Sequence, residues 1–210
     1  MELVAEKLSC EREQRLLFEN LDLSVRAGEI LRIEGANGSG KTTLLRILCG
    51  LFNHYEGTLF WNQQPMHEVF EDYVAQLVYV GHASGIKSCL TAEENLQWLS
   101  ALRNDHPVAM ESIWAALSQV GLRGYEDVFC SSMSAGQKKR VNLARLYLTA
   151  GSGNLWILDE PFSSIDREGV AHLERLMESH VKAGGKVILT SHQPLQVEYR
   201  VHSIDLDGKK

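Results

Sequence analysis

The chain has 210 residues, 44% hydrophobic and 23% charged: apolar material for one substantial core, and a composition that excludes wholesale disorder. Its formal net charge of −6 argues against a broad nucleic-acid footprint, which needs a basic face. The N-terminal residues 1–7 lack the apolar core and small-residue cleavage site of a secretory signal, and no apolar run approaches the roughly 18–20 residues that span a bilayer. The four cysteines, Cys10, Cys49, Cys89 and Cys130, lie far apart without paired metal-ligand spacing and read as free thiols in a reducing cytosol. A cytosolic chain is expected, with any link to a membrane made through a partner.

Residues 1–28 contain short apolar stretches (Leu21, Leu23, Val25) closed by Ala27-Gly28 and read as antiparallel strands. Ile30-Leu31-Arg32-Ile33 reads as a buried strand ending at Gly35, and Thr43 to Leu48 as a helix closed by Gly50. Leu77-Val78-Tyr79-Val80 is a further strand. Between 91 and 150 the pattern turns helical, and Met110, Ile113, Trp114, Leu117 and Val120 keep the spacing of a core stripe. Leu155-Trp156-Ile157-Leu158 and Lys186-Val187-Ile188-Leu189-Thr190 are short, apolar on both faces and bounded by turn signals, as central strands of a parallel sheet are. Between them, from 167 to 183, Val170, Leu173, Met177 and Val181 form one helical stripe, giving the crossover unit of such a sheet. The expected organisation is a single domain, an α/β core over 1–84 and 150–210 with a helical lobe, 85–149, inserted into it.

Gly35-Ala36-Asn37-Gly38-Ser39-Gly40-Lys41-Thr42 has the spacing of a phosphate-binding loop, a glycine, four residues, then Gly-Lys-Thr, between a predicted strand and a predicted helix. Glycines free the backbone so that successive N–H groups can face an anion, and the helix that follows adds its positive end. Lys41 supplies a mobile charge for the outer phosphates and Thr42 a hydroxyl for Mg²⁺; Thr43 completes the candidate nucleotide-binding set. A second signal ends the 155–158 strand at Asp159-Glu160-Pro161. Asp159 is placed to meet Mg²⁺, directly or through water, and Glu160 to orient or deprotonate an attacking water.

Ser134-Ala135-Gly136-Gln137 opens a predicted helix and so offers a second anion site. It resembles the signature motif of ABC ATPases, usually Leu-Ser-Gly-Gly-Gln, with Met133 for the leucine, Ala135 for the first glycine, and Ser134, Gly136 and Gln137 retained. Ser164-Ile165-Asp166 resembles that family's D-loop, and His192 its switch histidine at the γ-phosphate. Where the family usually has a glutamine at the hinge to the helical lobe, this chain has His82. Imidazole can bond a metal or a water beside it and can also protonate near neutral pH, so His82 is a candidate metal contact, direct or through water. Where the family tends to stack an aromatic on adenine, this chain has Arg12, which either stacks its guanidinium on the base or stands as a solvated charge.

Within the family the segments Cys10-Glu11-Arg12, Ile33-Glu34-Gly35, Val80-Gly81-His82, Gly85-Ile86-Lys87 and the runs 156–162 and 190–195 are similar to the ATP-binding subunits of cytochrome c maturation exporters. The resemblance implies an ABC-type P-loop α/β fold, with an antiparallel N-terminal part and an inserted helical lobe. It implies ATP and Mg²⁺ as ligands, integral membrane transporter subunits and a second copy of the chain as partners, and a peripheral place on the cytoplasmic face of a bacterial inner membrane. Haem-linked export is implied by the family alone. The chain has no Cys-x-x-Cys-His, and neither direct haem ligation by its eight histidines nor nucleic-acid binding is expected. Two other readings belong to different classes. A soluble ABC ATPase of DNA or ribosomes usually carries inserted coiled coils, zinc modules or a second cassette, all missing from this sequence. A regulatory module without turnover need not keep Lys41, Asp159, Glu160 and His192 together.

Overall fold

The computed structural model describes residues 1–83, 85–102, 107–163, 165–191 and 193–208. The N-terminal alternation folds as β1 (Glu2–Arg12) and β2 (Arg15–Arg26), paired antiparallel. They join through a two-residue turn with Glu13 at φ 53° and Gln14 at φ 64°, the left-handed pair that follows the twist of a hairpin. β3 (Ile30–Glu34) leads through the glycine loop into α1 (Lys41–Leu48). That helix stops because Gly50, at φ 70°, lets Leu51 N–H reach the Arg46 carbonyl and its own N–H the Ile47 carbonyl.

β4 (Glu56–Trp61) and β5 (Gln64–Pro65) extend the hairpin into a four-stranded antiparallel sheet of order β2-β1-β4-β5. After α2 (Phe70–Gln76) and β6 (Leu77–Val80) come the helices α3 (Ala92–Ala101), α4 (Met110–Gln119) and α5 (Ala135–Tyr147). β7 (Leu155–Asp159), α6 (Arg167–Lys182), β8 (Lys186–Thr190) and β9 (Val201–Asp205) complete the described elements. The second sheet is parallel, of order β6-β7-β8-β3-β9. It therefore brings the C-terminal ends of β7, β8 and β3 side by side.

Each central strand divides its side chains by period two. Leu155 and Ile157 of β7 join Ile188 and the apolar face of α1 beneath the antiparallel sheet. Trp156 and Leu158 turn the other way, to Leu143 and Leu146 of α5 and Leu173 and Met177 of α6. A third apolar cluster, with Leu96, Ile113, Leu117 and Val141, holds α3, α4 and α5 to one another. Thr91 caps α3, its hydroxyl accepting from Glu94 N–H at 3.2 Å while the Glu94 carboxylate accepts from Thr91 N–H at 2.8 Å.

Trp114 departs from the core stripe expected of it. Ile113 and Leu117 are fully buried, but Trp114 is 46% exposed. One residue along a helix is a rotation of about 100°, which carries Trp114 off the face that α3 and α5 cover. Its indole N–H instead donates to Glu93 Oε2 at 2.7 Å. None of the described helices is long and apolar enough to cross a membrane.

Under the start of β7 the buried His180 ring stacks on Trp156, centroids 3.7 Å apart and planes nearly parallel. Nε2 donates to the Asn154 carbonyl at 2.9 Å and Nδ1 accepts from Gly151 N–H at 3.3 Å, so a second proton on Nδ1 would meet a donor. Burial lowers the imidazole pKa from the usual 6.5 to about 4. The unfolded chain takes up the proton first as pH falls. Stability from this group is therefore complete above pH 6.5 and is lost, on the order of 3 kcal/mol, towards pH 4. Unfolding free energies from denaturant titrations should change across that window, relative to those of a His180→Gln variant, by that amount. A constant difference between the two proteins would mean that the ring titrates normally in the fold.

Candidate active site

The loop from Gly35 to Gly40 is held in a shape that side chains would block. Gly35, Gly38 and Gly40 have φ of 140°, 79° and 105°. A Cβ on Gly40 would lie 3.0 Å from Leu17 Cβ, and one on Gly35 2.5 Å from Ser39 Oγ. The hairpin of β1 and β2 is thus the floor on which the loop rests, and Asp207 Oδ2 accepts Ala36 N–H at 2.6 Å from the far side. Lys41, 9% exposed, arches back so that Nζ donates to the carbonyls of Gly35 at 2.7 Å and Ala36 at 3.1 Å. Ser39 Oγ is buried with no hydrogen-bond partner among the described residues, an orphan that a phosphate oxygen would satisfy.

Asp159 ends β7 almost fully buried. Its Oδ2 accepts from Thr42 Oγ1 at 2.9 Å and its Oδ1 from Thr190 Oγ1 at 2.8 Å. Thr190 Oγ1 in turn accepts Glu160 N–H at 2.8 Å. Glu160 has φ 48°, a left-handed conformation that costs a non-glycine residue on the order of 1–3 kcal/mol. Its carbonyl accepts from Ser163 N–H at 3.2 Å, from Ser163 Oγ at 3.1 Å and from Lys139 Nζ, which also meets Ser163 Oγ. Burial lowers the Lys139 pKa, while the Glu160 and Asp159 carboxylates pull it back up.

A cleft of about 560 Å³ brings Asn37, Gly38, Gly40, Lys41, Thr42 and Thr43 together with Asp159, Glu160 and His82. Arg12, half-exposed and 3.5 Å from the Glu13 carboxylate, borders it with Leu17 and Ser163. Gly35, Ala36 and Ser39 shape the loop from behind. Ser134, Gly136 and Gln137 stand elsewhere, at the start of α5, where Ser134 Oγ accepts Gln137 N–H at 3.2 Å and Gln137 Oε1 accepts Ser134 N–H at 2.9 Å. Ser134 is exposed there and no part of the cleft. His192 and Ser164 lie outside the described residues. Thr42 Oγ1 and Asp159 Oδ2 form a pair of hard oxygen donors on one wall, chemistry suited to Mg²⁺. His82 offers nitrogen, which suits Mg²⁺ less well than the oxygen of an intervening water.

Residue type and spacing alone do not single out Thr190, Lys139 or Ser163, which the structure brings to the acidic pair. Thr190 had a usable signal: it ends a strand as Asp159 does, and the two are register partners in adjacent parallel strands. Lys139 lies one helical turn into α5, but its approach to Glu160 depends on how α5 packs.

The description "ABC transporter" is that of the family whose model matches residues 18–163. The cytochrome c biogenesis ATP-binding export protein CcmA of Pseudomonas putida is 51% identical over 196 residues, 93% of this chain and 91% of that protein. The protein so named from Hahella chejuensis is 47% identical over 204 residues, 97% and 95%. Among solved structures, a putative ABC transporter ATP-binding protein from Pyrococcus furiosus superposes with a TM-score of 0.83 at 22% identity, covering all of both chains. A dimeric, post-hydrolysis ATP-binding cassette bound to ADP and phosphate gives 0.76 at 20% identity, covering 91% and 88%. At these identities the two structures speak for the fold alone.

The contact of Gly40 with Leu17 yields a test. Gly40→Ala forces a Cβ against the hairpin at a φ that costs about 1–2 kcal/mol, so the loop must shift. ATP affinity, read by titration of a fluorescent nucleotide, should fall tenfold or more while the fold persists by circular dichroism. Unchanged affinity would mean that the loop shape is not set at this glycine.

Proposed function

Because the chain belongs to the ABC transporter family, in its branch of cytochrome c biogenesis ATP-binding export proteins, we propose that it is the ATP-hydrolysing subunit of an exporter serving cytochrome c maturation, driving integral membrane partners. The observation that carries the assignment of residues is the convergence of Lys41, Thr42, Asp159 and Glu160 in one cleft at the ends of parallel strands. Backbone N–H groups of residues 35–43 and the N-terminus of α1 receive the phosphates of ATP. Lys41 leaves the Gly35 and Ala36 carbonyls for the outer phosphates, and Ser39 Oγ finds its partner there. Thr42 and Asp159 would hold Mg²⁺, and His82 would meet it, if at all, through water. Mg²⁺ supplies positive charge against the phosphoryl oxygens. Glu160 orients the water and accepts its proton as the oxygen attacks the γ-phosphorus and the bond to the bridging oxygen breaks, leaving ADP and phosphate. The family resemblance assigns the γ-phosphate contact to His192, which lies outside the described residues.

Glu160→Gln should keep ATP bound and lower turnover by about 10²–10⁴-fold, the usual loss of a general base. Normal hydrolysis by that variant would remove Glu160 from the role.

Ser134, Gly136 and Gln137 face outward at a helix start, a second anion site set apart from the cleft of their own chain. We read them as the cap on the γ-phosphate held by a second copy, in a head-to-tail two-fold dimer. The lobe of 85–149 on a core of 1–84 and 150–210 is supported by its own apolar cluster, and the family supports integral membrane subunits as partners, on the cytoplasmic face of a bacterial inner membrane. Mixed dimers test the shared site. With Lys41→Ala in one subunit and Ser134→Arg in the other, one intact composite site remains, and ATPase should recover where each homodimer is inactive. Mixed dimers that form and bind ATP but show no recovery would count against sharing.

A further inference from the structure

We propose that Lys139 is a positioning residue for the hydrolytic carboxylate, fixing the main chain of Glu160 from the signature helix of the same subunit. The inference rests on Glu160 as the base and adds a residue to that assignment. Three features of the site support it. Glu160 occupies a left-handed conformation, φ 48°, whose carbonyl must point away from an ordinary strand path. That carbonyl is the acceptor for Lys139 Nζ as well as for Ser163 N–H and Oγ. Lys139 reaches it from α5, which no part of β7 could replace, and brings a positive charge beside the Asp159 and Glu160 carboxylates.

The geometry has a mechanical meaning. Ser134 caps α5 and Lys139 follows five residues later, about 7.5 Å along one rigid rod. One end faces the proposed γ-phosphate of the other copy, and the next turn holds the main chain of the local base. Engagement of Ser134 is thereby linked to the aim of Glu160 in its own subunit. The cation's hydrogen bond is made to the Glu160 carbonyl, so its loss should fall on the chemical step and spare nucleotide binding.

The test uses the full chain recovered with its membrane partners. Lys139→Met should lower kcat for ATP hydrolysis tenfold or more, with KM and ATP affinity within twofold of the parent. Lys139→Arg, which restores both donor and charge, should bring kcat back to within about threefold. A Met variant with normal kcat, or one losing affinity in step with kcat, overturns the inference, as does failure of Arg to rescue. Should the Met variant not fold, Lys139→Gln serves: normal turnover overturns the inference, and a tenfold loss with intact affinity supports it. Glu160→Gln separates the two claims. If it hydrolyses normally, the base assignment falls and positioning with it. If it is inactive while Lys139→Met is normal, only the positioning role fails.

Discussion

One buried carboxylate ties the site together. Asp159 accepts from Thr42 at the head of α1 and from Thr190 at the end of β8, so its two oxygens join three elements far apart in sequence. A carboxylate so deep in the molecule must be hydrogen-bonded, and here both oxygens are. Because Thr190 also accepts Glu160 N–H, the same contact fixes the start of the strained residue that follows. The glycine loop and Glu160, the proposed base, thus share a frame that depends on the register of β7 against β8.

The two sheets divide the work around that frame. The antiparallel sheet supplies the floor: Leu17 and Phe18 of β2 set how closely the loop can approach at Gly40. The parallel sheet supplies the strand ends. α1 sits between the sheets, with Leu44, Leu45, Ile47 and Leu48 all buried, so the N-terminus proposed to receive nucleotide belongs to a helix anchored on its whole apolar side.

Several features were legible in the sequence because the chemistry is written into residue types at fixed spacing. The glycine loop is of this kind, since its backbone needs residues without Cβ at set positions. The buried strands β3, β7 and β8 are apolar on both faces and stand out for that reason, and the comparisons support the ABC-type α/β fold expected from the motifs. β4, β5 and β9 escape the sequence reading because each carries polar, exposed positions and lacks a run apolar on both faces. Trp114 was misplaced because helical spacing identifies a stripe but not which of its margins a neighbouring helix covers. Thr190 and Lys139 escaped for a further reason: their contacts with the acidic pair span 31 and 21 residues and exist only after packing.

The exposed Trp114 makes the molecule its own optical label. Trp61 and Trp156 are buried, Trp156 against His180, whereas the Trp114 indole stands partly in water on α4, bonded to a carboxylate on α3, and the half-buried Trp98 lies on α3 beneath Lys87. Emission from the two settings differs in wavelength and in access to a dissolved quencher. The red, quenchable component therefore comes largely from the helical region, and the blue, protected one from the packed sheets. In a Trp98→Phe chain, motion of α4 against α3 can be followed by light alone, with no added dye.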